Sequence, residues 1–408
     1  MQVMHARCAG LDVHKHTVVA CVRVTTAGRA QHEVRTFATT AAGLRGLQEW
    51  LVAAGCTHAV LESTGVYWKP VWHRLEDHLT LVLANATAVR NLPGRKSDVS
   101  DAQWLADLLA HGLVRGSFVP PAPIQALREV TRTRKQLGRE VTAHSQRIEK
   151  VLESADVKLA TVLRPLLGVS GRAIVAALAA GETDPDRLVA LAHPRLRAKR
   201  DALRAAVPGH VRPHHRVLLR QHLRVVETLQ ATIAELDAAI GAALVPCRAT
   251  VAHLVTIPGV STTAAQILVA EIGTDMTRFP SVGHLISWAG LCPRQDASAG
   301  KHRSTRLRKG APWLKPVLIQ GAWAAVRGRE GYLRAQFLRL KQRRGPMKAI
   351  VAVAASMLTA AYYMLRDDQD YHDLGAAHFQ RGDHDRLVAG LTRRLHHLGY
   401  EVTLRPAA

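Results

Sequence analysis

Four carboxylates constrain this chain more than any other feature: Asp12, Glu62, Asp98 and Asp101. Asp12 lies in Gly10-Leu11-Asp12-Val13-His14-Lys15, at the head of an apolar run. Glu62 ends a second short apolar run, Ala59-Val60-Leu61-Glu62. Asp98 and Asp101 stand three apart where a helical pattern opens, so they share a helix face. Acids delivered singly by two strands and then as a pair by one helix suit a cage for divalent metal. One such acid alone means little, because strand-end acids are usually solvated and Asp98 alone reads as a helix N-cap.

Charge separates this acidic set from the rest of the chain. The 408 residues carry a formal net charge of +23, which predicts a polyanionic partner, since lysine and arginine displace counterions from phosphates. Residues 1–120 hold 12 Lys/Arg against 9 Asp/Glu, whereas the remainder holds 43 against 23. The acids therefore sit in a nearly neutral region, and the charge for binding lies elsewhere.

Five scattered cysteines (Cys8, Cys21, Cys56, Cys247, Cys292) form no C-x-x-C pair. This predicts reduced thiols in a cytoplasmic protein rather than a zinc or disulfide framework. Histidine pairs such as His214-His215 and His396-His397 lack partner ligands at metal spacing and read as solvated or phosphate-facing. Ala349 to Leu365 is a 17-residue stretch without a charge. It is at the short limit for a membrane span and Ala-rich, and reads as a buried helix, with no membrane association expected.

Periodicity gives a β-β-α-β-α-β-α order over the first 120 residues, an α/β domain with a mixed sheet. Residues 8–25 read as one strand, with a turn at Ala27-Gly28 and a second strand over Gln31–Phe37. Phe118-Val119-Pro120-Pro121 marks a stiff boundary. Beyond it the chain reads as helical. Leu219, Val226, Ile233 and Ile240, with His222, Leu229, Leu236 and Ala243, form about four heptads, the pattern of a coiled-coil hairpin or a dimer seam. The expected organisation is 1–120 catalytic, 121–248 a helical coiled-coil linker, 249–366 a mainly helical domain and 367–408 a basic tail with a small helix and a strand. Residues 166–216, broken by Gly168, Gly171, Pro185, Pro194 and Pro208, form an insert without evident chemistry.

Two further motifs lie in the basic region. Ile257-Pro258-Gly259-Val260 between helical patterns resembles a helix-hairpin-helix turn, whose backbone N–H groups around Gly259 hold a DNA phosphate; Ser261 stands where a second glycine is usual. The stretch from Trp288 to Gly310 includes Pro293-Arg294-Gln295-Asp296-Ala297-Ser298-Ala299-Gly300-Lys301, and Arg294–Lys315 holds seven Lys/Arg against one Asp. A phosphate-reading loop formed by Lys301, Arg303, Arg306, Arg308 and Lys309 is the plain reading. Ser298 in a small-residue turn is the candidate nucleophile, with those cations available to stabilise a phosphoryl oxyanion.

Gly-Leu-Asp-Val-His-Lys around Asp12, Leu-Glu-Ser-Thr-Gly-Val-Tyr at Glu62, Lys-Ser-Asp-Val-Ser-Asp-Ala at Asp101, and Trp-Ala-Gly-Leu-Cys-Pro through Ser-Ala-Gly-Lys to Lys-Gly together resemble the DEDD transposases of bacterial insertion sequences, also described as bridge-RNA-guided recombinases. The resemblance covers roughly residues 8–365. It implies a RuvC-like, ribonuclease-H-like domain in which Asp12, Glu62, Asp98 and Asp101 bind Mg²⁺, and a C-terminal transposase domain whose nucleophilic serine matches Ser298. It further implies a covalent phosphoserine link to DNA and a composite site between subunits of a coiled-coil homodimer or dimer of dimers. A non-coding guide RNA would pair with donor and target double-stranded DNA.

Two other functions fit the residues. A junction resolvase or nuclease would cut with metal-activated water and leave Ser298 as a phosphate contact. A non-catalytic nucleic-acid scaffold would not require Mg²⁺, although the complete acid set argues against it.

Overall fold

The computed structural model describes residues 2–63, 65–84, 98–293, 296–298, 301–304, 306–381 and 384–404. Two units divide the chain, Met1–Val119 and Pro120–Ala408.

The first unit is built on a five-stranded mixed sheet of order β3-β2-β1-β4-β5. Its strands are β1 (Arg7–Val13), β2 (Thr17–Thr26), β3 (Arg29–Ala38), β4 (His58–Ser63) and β5 (Thr80–Leu83). The single strand expected over residues 8–25 is two, which corrects the element order to β-β-β-α-β-α-β-α. Polar His14, Lys15 and His16 form the break, closed by the His14 N–H donating to the Thr17 carbonyl at 2.9 Å. The turn from β2 to β3 falls at Ala27 and Gly28 as expected, both with positive φ, the combination whose twist matches a two-residue hairpin.

Alternation along the strands makes two apolar faces. Ala9, Leu11, Val18, Ala20 and Leu61 lie on one, against Leu47 and Leu51 of α1 (Ala41–Ala53) and Val71 and Leu75 of α2 (Trp68–Leu75). Cys8, Val19, Cys21 and Val60 lie on the other, against Ala102, Leu105, Ala106 and Leu109 of α3 (Asp98–Ala110).

Among the described residues the second unit is helical apart from one small hairpin. Its two longest helices, α4 (Ala122–Ser154) and α6 (Pro213–Ala243), run antiparallel. Their contacts fix the direction: Ser154 to His215 at 3.4 Å, His144 to His222 at 3.1 Å and Arg134 to Asp237 at 2.7 Å. The heptad of α6 thus packs within the chain, with Leu219, Val226 and Ile240 buried. Leu229, Ile233 and Leu236 keep part of their surface in solvent. The insert, including α5 (Val169–Ala180), caps one end of this pair. Its Ile174, Leu178, Leu188 and Leu203 share a core with Ile148, Leu152, Leu219 and Leu223. His215 is buried rather than solvated; its ring accepts from the Arg212 N–H.

Helices α7 (Arg248–Val255), α8 (Thr262–Ile272), α9 (Val282–Ala289), α10 (Leu314–Ala325), α11 (Tyr332–Arg344) and α12 (Pro346–Asp367) complete the unit, with a hairpin of β6 (Asp296–Ser298) and β7 (Lys301–Ser304) before α10. By length and composition α12 passes for a membrane span. Ile350, Val353, Met357, Leu358 and Ala361 are nevertheless buried within the unit. The tail forms a one-turn helix at His378–Arg381 and the longer α13 (His384–His397). The strand expected there is absent among the described residues up to Leu404, where no neighbouring strand offers backbone partners.

Candidate metal centre and basic hairpin

Asp12 and Glu62 are register partners on the adjacent parallel strands β1 and β4. Register partners project to the same face with Cβ atoms about 5 Å apart. That face is the α3 side, because Asp12 follows Cys8 and Gly10 in alternation and Glu62 follows Val60. Both acids stand near the C-terminal ends of parallel strands, where α/β sheets place their ligands. The Asp12 side chain is 14% exposed, and His14 Nε2 lies 3.1 Å from its Oδ2. His14, part of the motif around Asp12 but not among the candidate site residues, follows Asp12 by two residues and so stands at the same strand end.

Gly10 sets the distance of α3 from the sheet. A Cβ there would run into the Ala102 carbonyl oxygen and lie 2.9 Å from the Leu105 Cβ. Helix and strand run in opposite directions: the Met4 N–H donates to the Ala110 carbonyl at 2.8 Å, Cys8 Sγ lies 3.5 Å from the Ala106 carbonyl, and Gly10 meets Ala102. Two strand residues advance about 6.6 Å and four helix residues about 6 Å. The next step therefore brings the first turn of α3 beside Asp12. Asp98 shares its helix line with Ala102 and Ala106, the line laid on β1; its side chain lies outside the described residues. Asp101, one turn from the helix start, is half-buried. Among the described residues no three metal-ligating side chains already surround one point.

Asp107 is a further acid on α3, and it is committed elsewhere. Arg23, 5% exposed, donates to its Oδ1 at 2.7 Å, and His32 Nε2 lies 3.0 Å from the same oxygen. This ties the far half of α3 to β2 and β3.

In the second unit Ser298 ends β6 and is paired with Lys301 of β7. The side chains of Ser298 and Arg303 lie outside the described residues. Lys301, Arg306, Arg308 and Lys309 are exposed. Gly290 and Gly310 close the base of this excursion. Each has a positive φ, and a Cβ on Gly290 would come within 2.5 Å of the Gly310 Cα. Lys315 Nζ donates to the Arg308 carbonyl at 3.0 Å, and burial pulls its pKa down.

Behind the hairpin, α4 grips the segment entering α10. The guanidinium groups of Arg132 and Arg139 lie 5.6 and 5.3 Å from the Trp313 ring, and Lys135 Nζ donates to the Trp313 carbonyl at 3.0 Å. Arg132 also donates twice to Glu271 of α8, at 2.7 and 2.8 Å, and Glu271 is 1% exposed. Burial lowers the neighbouring Arg128 to about 10. Sequence spacing did not reveal this clamp, because its partners lie about 140 and 180 residues apart.

In the helix-hairpin-helix-like turn, Ser261 N-caps α8 by accepting from the Ala264 N–H at 3.2 Å. Gly259 has a positive φ and lies against α10, where a Cβ would meet the Gly321 carbonyl; its other side is exposed.

Comparison with known proteins joins these pieces. A model of DEDD transposases of the IS110 type matches residues 9–156, and the model described as transposase IS116/IS110/IS902 family matches residues 251–337. The chain belongs to the IS110-type DEDD transposase family. The first match spans Asp12, Glu62, Asp98 and Asp101; the second spans Gly259, Ser298 and the basic hairpin. The chain is 30% identical over 120 residues to the insertion element IS110 uncharacterized 43.6 kDa protein of Streptomyces coelicolor, an alignment covering 29% of each. Residues 157–250 of this transposase-family protein, with the insert and α6, lie between the two matched stretches.

Proposed function

We propose that this protein is a DNA recombinase that moves an insertion element by Mg²⁺-dependent strand cleavage and exchange, with Ser298 as nucleophile. The observation that carries the reading is the in-register Asp12–Glu62 pair beside the first turn of α3, in a chain of this family. Two partly buried carboxylates on register-paired residues offer hard oxygen donors side by side, a donor set that suits Mg²⁺. Asp12 and Glu62, joined by Asp98 and Asp101, would hold the metal, and the sheet order supports a ribonuclease-H-like, RuvC-like domain. Bound there, Mg²⁺ would supply Lewis acidity toward a phosphodiester.

The basic hairpin is the proposed nucleophilic half. Ser298 Oγ forms a bond to a DNA phosphorus, the bond from that phosphorus to the sugar oxygen breaks, and the serine proton passes through solvent to the departing hydroxyl. The phosphoserine ester keeps the energy of the cleaved bond, so a hydroxyl of a new strand can attack it, restoring the phosphodiester and the serine. Lys301, Arg303, Arg306, Arg308 and Lys309 hold phosphate oxygens and offset charge on the phosphoryl group. Gly259 adds a backbone contact to DNA. Donor and target are double-stranded DNA, chosen by pairing with a non-coding guide RNA. The half-exposed middle of the α4–α6 pair is the proposed coiled-coil seam of a homodimer, acting at DNA in the cytoplasm.

Recombination of a plasmid carrying the element's ends tests the reading. Asp12→Asn should abolish it while leaving DNA binding within a few-fold of the parent. Undiminished recombination by Asp12→Asn removes the metal centre from the mechanism.

A further inference from the structure

The insert, without evident chemistry in the sequence, holds a cationic pocket. A cavity of about 370 Å³ opens between the start of α5 and the turn at 193–199, lined by Arg164, Gly168, Ser170, His193, Arg195 and Lys199 among others. No carboxylate is among the described residues lining it. Three acids of the insert are paired with other cations: Glu182 and Asp184 with Arg187, and Asp186 with Arg204. Asp201 is exposed and is not among the residues lining the cavity, so the lining itself sets no carboxylate against Arg164 and Arg195.

The walls are fixed before any ligand arrives. The buried Ser170 Oγ accepts from the His193 N–H at 2.9 Å, tying the turn to α5. Lys199 Nζ donates to the Val162 carbonyl at 3.3 Å, tying it to the opposite wall. Leu163 lines the cavity as part of the insert core, and Leu196 packs against that core. Arg164 and Arg195 stand exposed, and Arg197 and Arg200, in and just after the same turn, are exposed as well. A preformed concave wall with several cations and no acid in its lining, in a segment with further exposed arginines, suits a phosphate that belongs to a polymer.

The geometry points to a second nucleic-acid-binding site: the pocket between residues 162–171 and 193–199, at the start of the insert, seats a backbone phosphate of a polynucleotide between Arg164 and Arg195, apart from the Ser298 hairpin. This concerns binding alone, so it holds whether or not Ser298 is the nucleophile.

The test uses the full chain with two fluorescein-labelled probes, a DNA duplex and a single-stranded RNA, titrated over a range of salt. The variant Arg164→Gln/Arg195→Gln is compared with Arg187→Gln/Arg204→Gln, which removes two acid-paired cations from the same insert. The pocket variant should bind at least one probe several-fold more weakly. Its slope of log affinity against log salt should fall by about 0.9 per lost contact on duplex DNA, or about 0.7 on a single strand. The probe that responds identifies the strand that occupies the pocket. Val169→Trp, at an 82% exposed position in the pocket lining, should weaken the same probe without removing charge. Parental affinity and slope on both probes, or an equal loss in the acid-paired control, overturns the inference.

Discussion

Asp12 and Glu62 face the same side of the sheet as register partners on adjacent parallel strands, the side on which α3 packs against Cys8, Gly10 and Val60. Glu62→Gln removes one of the two anionic oxygen donors at this strand end, and should therefore weaken or abolish the rise in unfolding temperature that millimolar Mg²⁺ gives the parent. Thermal unfolding with and without Mg²⁺ reads the effect; a Mg²⁺-induced rise persisting in Glu62→Gln counts against the metal centre.

Gly10→Ala places a methyl where the Ala102 carbonyl lies. Either α3 moves away from β1 or the core strains, at a cost of about 1–3 kcal/mol. Denaturant unfolding should show that loss, and Mg²⁺ stabilisation should weaken with it because Asp98 and Asp101 travel with α3.

Glu271 is buried between Arg128 and Arg132. Removing one partner of a buried ion pair leaves uncompensated charge and costs about 3–5 kcal/mol. Glu271→Ala should lose stability on that scale in equilibrium unfolding, and Glu271→Gln, which still accepts a hydrogen bond, should lose less. A loss below about 1 kcal/mol in both would place the Arg132 clamp outside the stability of this unit.

The α4–α6 pair should weaken in mild acid. Burial holds the pKa of His215 and His222 below the usual 6.5; His214 and Arg212 add to this at His215, and His144 and Arg147 at His222. The unfolded chain then binds more protons than the folded one between the lowered values and about 6.5. This stability is fully present above about pH 6.5 and is lost as pH falls through that window. Thermal unfolding against pH should show the decline, with a shallower slope in His222→Gln.

Burial raises Cys8 and Cys56 to about 11 and Cys21 to about 12. A thiolate-selective reagent at pH 8 should label Cys247 and Cys292 in the native protein and reach the other three only on unfolding. Native labelling of Cys21 would show that α3 leaves the sheet.

The candidate acids were legible because each marks an element end: Asp12 and Glu62 at strands, Asp98 and Asp101 at a helix. Their side-by-side register was not, since it depends on a parallel pairing across about 50 residues. The β1–β2 break is masked in the sequence because apolar residues flank the three-residue polar turn on both sides; only the switch of the inward positions from 9, 11 and 13 to 18, 20 and 22 betrays it. The heptad of α6 predicted a partner helix but not its identity, because α4 and a second copy offer similar apolar stripes. The Gly290–Gly310 contact and the Trp313 clamp were invisible for a related reason: close approach and cation–π packing leave no period in sequence.

The central claim is that Ser298 attacks DNA. The direct measurement is trapping of protein–DNA adducts on a nicked duplex carrying the element's end, resolved on denaturing gels in Mg²⁺. The account predicts a covalent adduct with the parent protein and none with Ser298→Ala, which should still bind the duplex. An adduct of equal yield in Ser298→Ala, or cleavage by the parent that leaves only protein-free ends, would contradict it.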